Sequence, residues 1–165
     1  MTGLETVLEY LPLTIRNIIE CQKCTCPKIN KSEKMYPVPN LTIEEIRLRS
    51  GKQLALKIGQ EVRLTEYIVS HQELLQAFEK VCENSVYSYR RQICDGYITI
   101  RGGNRVGIVG SAVIDNGQII NINYISSLNF RIARQQIGCS NKIIEDIIDL
   151  ENNSVYNTLI VSPPG

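Results

Sequence analysis

Leu4, Val7, Leu8 and Leu11 recur at helical spacing near the start of the chain and form one apolar stripe. Thr2 and Glu5 stand three residues apart at its head, the spacing of a capping box. Pro12 interrupts the period, and Ile15, Ile18 and Ile19 resume it as a second helix, so residues 1–20 read as a helical segment. Residues 21–40 carry no period. They hold Cys21, Cys24 and Cys26 among lysines, together with Pro27, Pro37 and Pro39, and predict an inserted cysteine-bearing loop.

Alternation replaces the helical period from Ile43. Ile46 and Leu48 fall on one side of a predicted strand, Arg47 and Arg49 on the other. Ser50-Gly51-Lys52 is a turn, Leu54, Leu56 and Ile58 continue as its hairpin partner, and a short strand is predicted at Val62–Leu64. Ser70 and Glu73 make a second capping box, before a helix through Leu74, Leu75, Phe78 and Val81. A further helical stretch over Val86 to Cys94 ends at Gly96. Strands follow at Tyr97–Ile100, Arg105–Val109, Ser111–Ile114 and Ile119–Ile125, with Asn116-Gly117 as a two-residue hairpin turn. Leu128, Phe130 and Ile132 alternate in another strand. Asn141 is positioned to cap a helix burying Ile143, Ile144, Ile147, Ile148 and Leu150. An apolar strand, Asn157–Val161, leads into Ser162-Pro163-Pro164-Gly165. Hairpins mixed with helices predict an α+β fold, mainly an antiparallel sheet with flanking helices, over residues 41–150. Residues 151–165 read as a linker and a first strand of something further.

Charge narrows the classes of partner. The formal net charge of +1 over 165 residues gives no whole-domain attraction to nucleic acid, and none is expected as a partner. Glu5, Glu9 and Glu20 in the amphipathic start exclude a secretory signal there, and no apolar run reaches the roughly 18 residues of a membrane span. A cytoplasmic chain with reduced cysteines is the expectation. Between Val81 and Asn141 every basic residue is an arginine: Arg90, Arg91, Arg101, Arg105, Arg131 and Arg134. Guanidinium forks grip phosphate or carboxylate, so this half is suited to facing an anion as well as to solvated strand surfaces.

Several patterns could carry chemistry. Gly102-Gly103, Gly107 and Gly110 lack a following helix to supply phosphate-binding amides, so they read as turns and close strand packing. Cys21, Cys24 and Cys26 have the gap of a zinc knuckle without a second ligand pair nearby. A stand-alone zinc-dependent binding module built on them is the alternative reading of the chain. His71 is the only histidine, which leaves any serine or cysteine nucleophile without an evident base. A buried strand entering Ser162-Pro163-Pro164-Gly165 matches either a simple turn or the opening of a phosphate-binding loop.

Four segments, in order, resemble the stage III sporulation protein AA family, a sporulation ATPase similar to type II and type IV secretion ATPases. They are Glu44-Glu45-Ile46-Arg47-Leu48-Arg49-Ser50-Gly51, then Gly96-Tyr97-Ile98-Thr99 with Gly102-Gly103-Asn104-Arg105-Val106-Gly107, then Ile125–Arg134, and finally Asn157–Gly165. The resemblance implies a PAS-like N-terminal domain that precedes a P-loop core. It also implies that Ser162, Pro163, Pro164 and Gly165 open the nucleotide-binding loop, and that Arg131 and Arg134 are nucleotide-sensing arginines. ATP and Mg are then cofactors of the longer protein. None is expected for this chain, which lacks the loop's lysine and should not hydrolyse ATP. The implied partners are its own ATPase core, further copies in a homo-hexamer, and membrane proteins of the same operon. The implied location is the mother-cell cytoplasm, peripheral at the forespore-engulfing membrane, with Leu150–Ser154 as a hinge.

Overall fold

Pro12 divides the N-terminal apolar period into two helices, as its fixed φ and missing N–H require. The computed structural model, which describes residues 3–24, 43–134 and 138–161, places α1 at Gly3–Glu9 and α2 at Leu13–Cys24. The N–H groups of Tyr10 and Leu11 turn back to the carbonyls of Val7 and Leu8, closing α1 before the proline. Helix α2 runs past residue 20 to Cys24, so Cys21 and Cys24 stand on helix rather than in the expected loop.

The strands are β1 (Ile43–Arg49), β2 (Gln53–Ile58), β3 (Glu61–Ile68), β4 (Tyr97–Ile100), β5 (Asn104–Asp115) and β6 (Gln118–Arg131). They form one six-stranded sheet in the order β3-β2-β1-β6-β5-β4, with every neighbour antiparallel. The α+β expectation holds. Strand β1 lies at the centre because β6, from the far end of the segment, pairs along its free side and sets Ile46 opposite Phe130 and Leu48 opposite Leu128.

One face of this sheet carries the core. Ile46, Leu48, Leu54, Leu56, Val106, Leu128 and Phe130 are buried together with Val7, Leu8, Ile15 and Ile19 of α1 and α2. Helix α3 (His71–Val81) adds Leu74, Ala77, Phe78 and Val81. Burying one such large apolar side chain stabilises the fold by roughly 1.5–3 kcal/mol. Ser70 accepts the Glu73 N–H while Glu73 takes the Ser70 N–H, so the capping box read from the sequence is present. The stretch expected as one helix over Val86–Cys94 is a 3₁₀ turn at Val86–Tyr89 followed by α4 at Arg90–Cys94. Gly96, at φ 83°, closes it, its N–H donating to the Ile93 carbonyl.

Two strands that the alternation separated at Gly110 are one. The register shifts between Val109 and Ser111, where Gly110 alone faces Tyr124, Ile125 and Ser126 of β6, with Tyr124 at φ 48°. A Cβ on Gly110 would lie 2.6 Å from the Asn123 carbonyl oxygen, so the glycine marks a bulge with close strand approach rather than a break.

The chain divides into compact units at Met1–Ala133 and Arg134–Gly165, ahead of the boundary at residue 150 that periodicity set. Within the second unit the expected helix shrinks to a single turn, α5 (Ile144–Ile147), with Ile143 at its N-cap rather than Asn141. A hairpin follows, β7 (Ile148–Asp149) and β8 (Ser154–Val155). Asp149 explains the stop: its carboxylate accepts the N–H groups of Glu151 and Asn152, offering the backbone a turn in place of a helix. Asn157–Val161 takes no strand conformation, and Leu159, Ile160 and Val161 are exposed. A buried strand needs neighbours to take its N–H and C=O groups, and among the described residues no strand pairs with this segment.

Candidate functional site

The helices cover one face of the sheet, and the opposite face of β2, β1, β6, β5 and β4 carries polar side chains in cross-strand rows. Strand pairing sets Lys57, Glu45, Arg131, Arg105 and Thr99 across one row. The adjacent row is Ala55, Arg47, Asn129, Gly107 and Tyr97, and Arg49, Ser127 and Val109 lie beyond it. Arg47 was expected on the side away from Ile46, and alternation places it there with Arg49.

Glu45 is the centre of these rows. It is 9% exposed, and its Oε2 accepts from Arg47 Nη2 at 2.7 Å and Arg47 Nε at 3.0 Å. Burial alone pushes this carboxyl up. The Arg47 hydrogen bond and charge, the Lys57 charge and the Asn129 amide outweigh burial and hold it below the usual carboxylate range. Arg131 lies 3.7 Å from Glu45 Oε1 with its side chain 68% exposed, a loose ion pair in solvent. Arg105 stacks over Tyr97 at 5.1 Å from the ring centroid, and neither it nor Arg49 has an ion-pair partner among the described residues. Asn129 Oδ1 is the one buried side-chain acceptor among the described residues without a donor. The face therefore combines a neutralised centre with guanidinium groups that have donors to spare.

At the end of β6 the rows meet a tightly built corner. Asn104 is fully buried; its Nδ2 donates to the Arg101 carbonyl at 2.7 Å and its Oδ1 accepts from the Ala133 N–H at 2.9 Å. Gly102 and Gly103, at φ 77° and 74°, shape the loop that brings Asn104 there, a structural task as the sequence implied.

The candidates from the sequence distribute unevenly. Arg131 joins the open face, whereas Arg134 is exposed and belongs to the second unit. Ser162, Pro163, Pro164 and Gly165 lie outside the described residues, as does Cys26. Cys21 is exposed on α2, and Cys82 is buried in the core, where burial pushes its thiol up to about 11. Among the described residues no group of His, Cys, Asp or Glu side chains is arranged to hold a metal ion. Glu45, Lys57 and Asn129 were not singled out by the sequence, and Arg105 only as one of six arginines suited to facing an anion. Parity puts Glu45 on the face of Arg47 and Arg49, but only the pairing of β1 with β6 adds Asn129 and Arg131.

The family described as sporulation stage III, protein AA matches residues 13–165 of the chain. The chain is 36% identical over 125 residues to stage III sporulation protein AA of Bacillus subtilis (strain 168), covering 75% of this chain and 39% of that protein. Among solved structures, the ATPase DotB of Legionella pneumophila is similar at a TM-score of 0.41 and 13% identity, over 90% of this chain and 35% of its own. The chain thus spans well under half the length of both relatives. No helix among the described residues is long and apolar enough to cross a membrane.

Proposed function

The chain belongs to the sporulation stage III protein AA family, and from that premise we propose that it is the N-terminal regulatory and oligomerisation module of a mother-cell sporulation ATPase. In this reading the longer protein assembles as a hexamer and powers a secretion-like channel between mother cell and forespore. ATP and Mg are held by a P-loop core that Ser162–Gly165 opens, and membrane proteins of the same operon are docked from the cytoplasmic side. The sheet with helices on one face supports the PAS-like expectation for such a module.

The observation that carries the reading is the position of Arg131. It is exposed, lies in the basic row of the sheet and stands two residues before Ala133, where the first unit ends. A guanidinium at the exit of a domain can stabilise charge on a phosphoryl group bound beyond it. Glu45 restrains it only loosely, so the side chain is available to turn toward a nucleotide. Arg134 is assigned the same task. Steady-state ATPase assays on the longer protein test this: Arg131→Ala is expected to lower kcat roughly tenfold or more, with unchanged oligomer size. A kcat equal to the parent's in both Arg131→Ala and Arg134→Ala overturns the assignment.

Leu150–Ser154 is assigned as the hinge, and it spans the exposed turn between β7 and β8 together with Ser154, the first residue of β8. Cleavage at Glu151 by a glutamate-specific protease is expected to change with ATP in the longer protein; a rate indifferent to ATP argues against a hinge.

A further inference from the structure

The open sheet face has a charge pattern that points to a kind of partner. Arg49, Arg105 and Arg131 are exposed on it, and the only carboxylate in its central rows, Glu45, is already engaged by Arg47. Exposed apolar side chains flank this basic centre on both sides. Val62 and Leu64 of β3 pair with Lys57 and Ala55, and Tyr97 and Val109 lie on the β4 and β5 side. A basic centre with exposed apolar margins is a surface of mixed chemistry, and its complement carries carboxylates in the middle and apolar groups at either side.

We propose that this face docks an acidic, amphipathic polypeptide segment of a partner protein, with Arg49 and Arg105 gripping its carboxylates and Leu64 and Tyr97 covering its apolar side chains. The inference deepens the docking role proposed above and rests on it, but needs no nucleotide. One feature favours a polypeptide over an anionic lipid surface. A layer of headgroups offers phosphates and leaves Val62, Leu64, Tyr97 and Val109 in a polar layer, whereas an amphipathic segment meets both. Arginine in place of lysine suits carboxylates, through the planar fork.

The test titrates the isotope-labelled chain with a synthetic peptide that alternates glutamate and valine, followed by amide chemical shifts. Parallel arms use the same peptide with lysine for glutamate, and phosphatidylglycerol vesicles. Saturable shifts at Arg47, Arg49, Arg105 and Asn129 are expected with the acidic peptide alone. R49E combined with R105E, both exposed and outside the core, should weaken binding roughly tenfold or more with an unchanged circular dichroism spectrum. L64S should weaken it as well, an effect that a purely electrostatic ligand would not produce. The proposal is overturned by absence of saturable binding at millimolar peptide, by equal binding of the lysine peptide, or by vesicle binding that the acidic peptide does not displace. Because the titration contains no nucleotide, its failure leaves the ATPase test of Arg131 standing, and the reverse also holds.

Discussion

The buried amide of Asn104 holds the backbone of Ala133: Asn104 Oδ1 accepts the Ala133 N–H at 2.9 Å, across a sequence separation of 29 residues. The same side chain donates to the Arg101 carbonyl at 2.7 Å, so one residue ties the glycine loop before β5 to the end of β6. From the other side, a Cβ on Gly3 would come within 2.6 Å of the Ala133 carbonyl oxygen, which packs the start of α1 against the same point. The exit of the chain from its first unit is thereby held by hydrogen bonding and by contact.

Asn104→Ala removes both hydrogen bonds of a fully buried side chain and leaves the Ala133 N–H and the Arg101 carbonyl without that partner. A loss of about 2–4 kcal/mol is expected, read as a lower denaturant midpoint at unchanged slope. Asn104→Asp retains the acceptor for Ala133 but turns the Arg101 contact into a repulsion, so it should rescue little.

Glu45 should make stability depend on acid. Its carboxyl titrates lower in the folded chain than in the unfolded one, so the unfolded state binds the proton first as pH falls. Its contribution is complete above the ordinary carboxylate range, near pH 4.3, and disappears as pH drops through the lower folded value. Glu45→Gln should cost about 1 kcal/mol at neutral pH, because the Arg47 pair is partly exposed, and should flatten the acid limb of a stability-versus-pH curve. An acid limb as steep as the parent's would remove Glu45 from the account.

The capping box at α3 carries a separable contribution. Ser70→Ala deprives the Glu73 N–H of its acceptor and should lower stability by about 1 kcal/mol, measured by thermal or chemical unfolding. Tyr67 donates its hydroxyl to the same Glu73 carboxylate, so Tyr67→Phe should show a measurable coupling with Ser70→Ala in a double-mutant cycle.

Gly110→Ala tests the bulge. The added methyl would meet Ile122 Cγ2 at 2.7 Å and the Asn123 carbonyl at 2.6 Å, and the carbonyl cannot move without shifting β6. Overpacking of this kind costs about 1–3 kcal/mol. Faster amide exchange should accompany it in Ser111–Asn123, beyond the bulge, while β1 and β2 keep their protection. Gly51→Ala is the contrast: nothing lies within 4 Å, so only its φ of 69° is strained.

Local physics made much of this fold legible in the sequence. Helices α1 to α3, the first hairpin, the Asn116-Gly117 turn and the Ser70 capping box depend on contacts between near neighbours, and residue order specifies those. The same is true of the side of β1 on which Arg47 and Arg49 stand. The helix expected over residues 141–150 is only a single turn for a related reason: apolar periodicity marks a face that wants covering, and in the described second unit no sheet or helix layer does so. The turn around Asp149 then prevails over the helix.

The site was decided elsewhere. Alternation made Glu45, Arg131 and Arg105 members of strand surfaces without saying which strands touch. Only the pairing of β1 with β6, across more than eighty residues of chain, set Glu45 beside Arg131 and Asn129 and surrounded one buried carboxylate with arginines. Hydrophobic pattern determines which face of each element is buried, because that is a property of each residue and its neighbours. Which elements become neighbours, and hence which charges meet, depends on how the whole core closes.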